Sequence, residues 1–402
     1  MNVTYIIGNG FDLNLGLMTS YKHFYNYYLG QKPRDEVEAK DEKEMAIVKM
    51  KQSIKDYLKN EKGEVVKAEE ANWADLELAL GQYTDEVKEG AEVMAAVYLD
   101  LVENLKNHLL QVCESITDLK KILGFGTKMS GKLVFELGNP EKYLTDNEQA
   151  ELKRFYADIG VNAEKSSTKA NINIINLNYT PSIERLLDAK DTKTPPINDA
   201  SASIIWDCFL ENAINVPVEK IYHLHHTLKP NDVIIVGVND ESQIKNESFR
   251  ENSILRELLI KPEANKNQGT GIEEKCKELI ESTDLFVFFG ISLGETDSNW
   301  WKLIAEVLAD RKARLIFFEY RESFNQRLIG NIKDEVKERI SKYHLSNTGK
   351  ELIKERTFIS IFSGKSDEHM FCVLKDLFKL KRMKNATSPS INISVRASSV
   401  RK

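Results

Sequence analysis

The stretch Val3-Thr4-Tyr5-Ile6-Ile7-Gly8-Asn9-Gly10-Phe11-Asp12 constrains this chain more than any other. The residues before Gly8 are apolar, aromatic or β-branched, the composition of a buried strand. Two glycines one residue apart permit a tight turn and the close approach of a ligand to the backbone. Thr19-Ser20-Tyr21 then offers a helix start. Strand, glycine turn and helix together form the phosphate-handling corner of doubly wound α/β proteins. G-N-G alone is a weak signal, because it lacks the third glycine of the dinucleotide fingerprint. An ordinary β-to-α turn therefore stays open at this point.

Helical and strand patterns alternate in blocks further along. Residues 21–28 are dense in aromatics and read as a helix with a sticky face. Apolar positions recur at helical spacing between Arg34 and Lys62, and again between Glu92 and Leu123. Between these blocks, Asn72 can cap a helix that puts Trp73, Leu76 and Leu80 on one face. Asp75 and Glu77 read as solvated acids near its amino end, favoured by the helix dipole. Strand patterns resume at Ala170–Leu177, Lys220–Leu224, Asp232–Gly237, Leu285–Phe289, Arg314–Tyr320 and Thr357–Phe362. Residues 192–200 and Asn265–Thr270 read as loops, and Asp367–Leu380 as a last helix. Thr180, and either Thr296 or Asp297, are candidate helix caps, with Pro181 at a first helical position. The expectation is an α/β protein with a mostly parallel sheet carried by residues 1–30 and 165–382. A large all-helical insertion would occupy 31–164, and a disordered basic tail 383–402.

Composition narrows the function classes. The 402 residues are 42% hydrophobic and 29% charged, an ordinary globular balance. A net charge of −6 gives no reason to expect a nucleic-acid-binding surface. Cys113, Cys208, Cys276 and Cys372 form no C-x-x-C pair, so neither a disulfide framework nor a zinc knuckle is indicated. His223 and His225 could share a strand face, but no third ligand is evident and no metal is expected. No apolar run is long enough to span a bilayer, and the sequence opens directly on a strand. A cytoplasmic protein with no membrane partner is expected.

Four strand ends are polar or glycine-containing: Gly8-Asn9-Gly10, Asn178-Tyr179-Thr180, His225-His226 and Gly290-Ile291-Ser292. In an open parallel sheet, ligands bind at the carboxyl ends of strands near the point where strand order reverses. If these ends converge, they make one pocket of amides, hydroxyls and an imidazole. Asn178 could hold water and a ribose hydroxyl through its donor and acceptor. A neutral His225 could take a proton. Asn178 and Ser292 could equally be plain turn residues.

The motifs I-I-G-N-G-F-D with G-L-x-T-S-Y (Ile6 to Tyr21), W-A-D-L-E (Trp73 to Glu77), N-L-N-Y-T (Asn176 to Thr180), H-L-H (His223 to His225) and F-G-I-S-L-G-E-T-D (Phe289 to Asp297) follow in this order. The set resembles the AbiH family of bacterial phage abortive-infection proteins. The order also resembles the wider sirtuin-like NAD-binding group, with its glycine turn, N-x-D, H-G and G-x-S segments. This resemblance implies a Rossmann-like, sirtuin-like core and a phage-defence effector that hydrolyses NAD to nicotinamide and ADP-ribose. It implies catalytic roles for Asn178 and His225, and dinucleotide contacts from Gly8, Gly10, Asp12 and Ser292. Asn9, Thr180, Gly290 and Asp297 stand in the same motifs and complete the expected NAD-binding set. There are departures. Thr180 stands where the sirtuin-like pattern has aspartate, His226 where glycine is usual, and Met18 where proline is common. The absence of zinc cysteines points away from protein deacetylation. The alternative is a non-catalytic module that senses ADP-ribose or a related nucleotide and acts through a protein partner or by homo-oligomerisation. A nuclease-type toxin is the third and weakest option.

Overall fold

β1 (Asn2–Ile7) becomes the centre of a sheet because its side chains are apolar on both faces. Val3, Tyr5 and Ile7 enter one core cluster, and Ile6 enters the cluster on the opposite face. The computed structural model describes residues 1–58, 65, 67, 71–120, 133, 135–159, 171–187, 203–206, 214–228, 233–364 and 369–372. The expected loop at 192–200, the tail at 383–402, Cys208 and most of the expected last helix lie outside the described residues.

The remaining strands are β2 (Asn171–Asn176), β3 (Ser203–Trp206), β4 (Ile214–His223), β5 (Leu285–Phe289), β6 (Arg314–Tyr320) and β7 (Thr357–Phe362). Their spatial order is β3-β4-β2-β1-β5-β6-β7. Six strands, β4 to β7 in that order, run parallel, and β3 pairs antiparallel at the edge. β5 alternates as β1 does: Leu285, Val287 and Phe289 face one core, Phe286 and Phe288 the other. Such near-continuous apolar runs mark parallel strands covered on both faces. Helices Asp146–Asp158 and Ser182–Leu187 cover one face. Helices Ile272–Ser282, Ser298–Asp310, Ile329–Ser341 and Asn347–Glu355 cover the other. Strand order reverses between β1, which leads to β2 and β4, and β5, which leads to β6 and β7.

Helices Tyr21–Leu29, Glu42–Ser53, Trp73–Tyr83 and Ala91–Lys120 lie between β1 and β2 in the chain, as the spacing predicts. Their apolar faces form a third cluster, which also takes in Val236, Val238, Phe249, Leu255 and Ile260 from beyond β4. Asn72 caps Trp73–Tyr83 in a capping box with Asp75. This helix packs on the loop after β5 so closely that a Cβ on Gly294 would lie 2.3 Å from that of Ala74.

The structure corrects several expectations. Residues 233–237 form no strand. Their carbonyls instead accept from side chains, Tyr179 on Ile235 (3.1 Å) and Tyr98 on Val236 (2.9 Å). Lys261–Gln268 is a helix ended by Gly269 at φ 64°, where a loop was expected from Asn265. Asp75 and Glu77 are buried, at 6% and 3% exposure, rather than solvated. β4 begins at Ile214, well before Lys220. Thr180 caps no helix and Pro181 is not a first helical residue, because the helix starts at Ser182 with Pro181 O accepting its first bond, and the Thr180 hydroxyl donates to the buried Asp12 carboxylate. Asp297 does sit at the amino end of Ser298–Asp310, but it makes no side-chain cap bond. Among the described residues no helix is long and apolar enough to cross a membrane.

Candidate functional site

A cavity of about 840 Å3 opens at the carboxyl ends of the parallel strands, across the reversal of strand order. Gly8, Asn9, Gly10 and Asp12 reach it from β1, Asn178 and Thr180 from β2, and His225 from β4. Gly290, Ser292 and Asp297 reach it from β5. Every expected site residue therefore lines one cavity. The helical segment supplies a further wall with Thr19, Tyr21, Trp73 and Glu77. Glu319, Glu322 and Arg339 line the side beyond β6.

The glycines are required here by the contact of two turns. A Cβ on Gly10 would lie 2.4 Å from the Gly290 Cα, and one on Gly8 2.5 Å from the Gly290 carbonyl oxygen. Gly290 itself holds φ 70°. The Gly8 amide donates to Phe289 O (3.0 Å), the Gly10 amide to Gly290 O (3.1 Å) and the Phe11 amide to Gly8 O (3.0 Å). The expected close approach to backbone is thus made, at these positions, by another part of the chain. Asn9 Nδ2 donates to Thr19 O (3.1 Å), which also accepts from the Trp73 indole (3.0 Å). These two bonds fasten the helical wall to the glycine turn.

Asp12 is buried, and its two oxygens accept from the hydroxyls of Thr180 and Ser182. Burial raises its pKa to about 6, against the hydroxyl bonds from Ser182 and Thr180, which lower it. Asn178 Nδ2 donates to Gly8 O (3.1 Å), and its amide Oδ1 has no partner among the described residues. Asn178 thus ties β2 to β1 while keeping an acceptor for something else. Ser292 is exposed at the cavity edge.

His225 and Asp297 form a pair. His225 Nε2 lies 3.0 Å from Asp297 Oδ1, and the Tyr179 ring lies 6.2 Å from the imidazole, centroid to centroid. A carboxylate on Nε2 selects the tautomer with the proton there, which leaves the Nδ1 lone pair as a base. Burial alone would raise the Asp297 pKa, but Lys261 and then His225 outweigh it and hold the carboxyl well below the usual range. Lys261 Nζ lies 2.8 Å from Asp297 Oδ1 and 3.0 Å from Glu77 Oε2. Neither Lys261 nor the burial of Glu77 was legible in the sequence. The only signal was Glu77 within W-A-D-L-E, and its partner stands far along the chain.

His223 does not join His225. Its Nδ1 donates to Asn178 O (2.8 Å) and its Nε2 meets Glu184. Among the described residues no group of three or more His, Cys, Asp or Glu could hold a metal ion. His226 holds φ 63°, the left-handed region that favours glycine, and its Nε2 lies 3.2 Å from Asn265 Oδ1.

No curated protein matches the chain. The family model for bacteriophage abortive infection AbiH matches residues 4–319, which hold both glycine turns, Glu77, Asn178, His225, Lys261 and Asp297. The match covers most of the 402 residues, and the chain belongs to the AbiH family of bacteriophage abortive-infection proteins.

Proposed function

We propose that this abortive-infection protein hydrolyses NAD to nicotinamide and ADP-ribose in the cytoplasm of infected cells. The observation that carries the reading is the Asp297–His225 pair in one cavity with Asn178, across the reversal of strand order. With the edge strand β3 set aside, the order β4-β2-β1-β5-β6-β7 matches that of Rossmann-like dinucleotide sheets, which supports this finer description of the fold. The cavity volume, about 840 Å3, falls in the range of small-molecule and cofactor sites.

Hydrolysis breaks the bond between ribose C1′ and the nicotinamide ring nitrogen, and the electron pair leaves with nicotinamide. A water oxygen bonds to C1′, and its proton passes to the base. His225 is suited to this role because Asp297 accepts its Nε2–H and would stabilise the imidazolium formed. Asn178 Oδ1 would accept from the attacking water or a ribose hydroxyl. The lining acids Asp12, Glu77, Asp297, Glu319 and Glu322 outnumber the cations that pair with them, Lys261 for Glu77 and Asp297 and Arg321 and Arg339 for Glu319, and the remaining negative charge favours the positive charge that develops on the ribose. Arg339, the lining cation, is held by both oxygens of Glu319 (3.2 and 3.1 Å), so a diphosphate would compete with that carboxylate for it.

A second reading keeps the cavity but not the turnover: a nucleotide-sensing module that acts through a protein partner. One observation favours it, the engagement of the Gly10 amide by Gly290 and of Asn178 Nδ2 by Gly8. Cells carrying the wild-type, Asn178→Ala or His225→Ala protein separate the two readings when NAD is followed after phage infection. Hydrolysis predicts a collapse of NAD with the wild-type protein and neither collapse nor protection with the variants. Protection with an unchanged NAD pool would overturn it and leave the sensor.

A further inference from the structure

The helix Trp73–Tyr83 sends one buried acid, Glu77, to the cavity wall, and the hydrolytic reading gives that acid no task. Its Oε2 accepts from Lys261 Nζ (3.0 Å) and Thr296 Oγ1 (2.6 Å), and its Oε1 lies 3.4 Å from the Gly237 amide. The Lys261 side chain is 4% exposed and bridges to Asp297 Oδ1 (2.8 Å). That same oxygen receives His225 Nε2 (3.0 Å). The backbone on each side of Lys261 is fixed: its amide donates to Val238 O (2.9 Å), and the Val238 amide donates to Leu259 O (2.8 Å).

We infer that Glu77 and Lys261 are positioning residues for His225, so that the helical segment sets the charge state of the site's base. A buried ion pair is weak evidence for stability, since apolar residues of similar volume often serve as well. What distinguishes this one is its place on the single oxygen that His225 also uses. Lys261 carries one positive charge between two carboxylates, so the cluster has one negative charge in excess. Proton uptake by His225 neutralises it. Lys261 opposes that uptake and Glu77 favours it. Burial works against the Lys261 charge, while Asp297 and then Glu77 outweigh it and raise the Lys261 pKa. The other groups facing His225 are the Tyr179 ring and Glu273 on the helix Ile272–Ser282, with His223 and His226 as chain neighbours. None of them changes in the variants below.

The inference rests on His225 acting as the base, and its test has one arm that needs no substrate. The His225 ring is titrated by NMR in the unliganded full-length protein, as wild type, Glu77→Gln, Lys261→Met and the double variant. Glu77→Gln is expected to lower the His225 midpoint, and Lys261→Met, one contact nearer along the series Glu77–Lys261–Asp297–His225, to raise it by more. The double variant should fall between the two single variants. The acid limb of the pH profile of NAD turnover should move in the same two directions. A purely structural role would move neither limb, or both alike, and either result overturns the inference. If Lys261→Met fails to fold, the downward shift in Glu77→Gln decides alone. If NAD is not turned over at all, the NMR midpoints still stand or fall by themselves, so failure of the hydrolytic reading is not confused with failure of this one.

Discussion

Replacing Gly10 by alanine separates a glycine needed for folding from one needed for a ligand. The added Cβ would lie 2.4 Å from the Gly290 Cα and 3.2 Å from its carbonyl carbon, contacts that no side-chain rotation can relieve. Gly290 has little freedom to retreat, because it holds φ 70° and accepts the Gly10 amide at 3.1 Å. Overpacking of this kind costs about 1–3 kcal/mol. Losing the amide bond adds about 1 kcal/mol. The expected destabilisation is therefore roughly 2–4 kcal/mol, present with no nucleotide in solution. The assay is a urea unfolding curve of each protein without nucleotide, with Gly330→Ala as the control. A Cβ on Gly330 meets nothing within 4 Å, and the residue lies in the helix Ile329–Ser341. That control should be neutral or gain about 0.5 kcal/mol. A Gly10→Ala protein that unfolds at the wild-type urea concentration would refute the packing argument and return the glycine to the ligand alone.

Two further outcomes follow from buried acids. Burial lifts the Asp12 carboxyl from 3.8 to about 6, so the folded state holds this proton more tightly than the unfolded state. The stability linked to it is fully present below about pH 4 and is lost as pH rises through about 6, roughly 3 kcal/mol in all. Asp12→Asn should remove that slope from urea midpoints measured between these limits, and an unchanged slope would contradict the assignment. Glu141 is buried, and burial raises its pKa to about 8 against a contact from its own backbone amide, which lowers it. By the same sign, its stability contribution declines as pH rises from about 5 through about 8, and Glu141→Gln should flatten thermal melting over that window.

β1, β2, β5, β6 and β7 and the converging strand ends were legible because local chemistry dictates them, whereas β3 and the first part of β4 were not. Leu285 to Phe289 is an unbroken apolar run that only a doubly covered strand can bury. Gly8, Asn178, His225 and Gly290 terminate strands that run parallel, so their meeting follows from topology. The misreadings share a different cause. Val233 to Val236 has the composition of a strand, but the Ile235 and Val236 carbonyls accept from tyrosine hydroxyls that no periodicity reveals. The helix Lys261–Gln268 carries its proline in the first turn, where the missing N–H costs nothing, and the polar Asn265–Gln268 continue it to the Gly269 cap. Glu77 read as a solvated acid because acids near a helix amino end usually are. Its burial depends on Lys261, a lone lysine with no local mark. Pairings at long range are what one sequence withholds.

The central claim is that His225, oriented by Asp297 and aided by Asn178, hydrolyses NAD in this cavity. The direct measurement is chromatographic release of nicotinamide and ADP-ribose by the purified protein, alone and with extract from phage-infected cells. Wild-type, Asn178→Ala, His225→Ala and Asp297→Asn proteins run side by side. The account predicts equimolar release by the wild-type protein, falling about 100-fold or more in the His225 and Asn178 variants, and strongly in Asp297→Asn. Release undiminished in His225→Ala, or NAD bound and never cleaved by the wild-type protein, would contradict it.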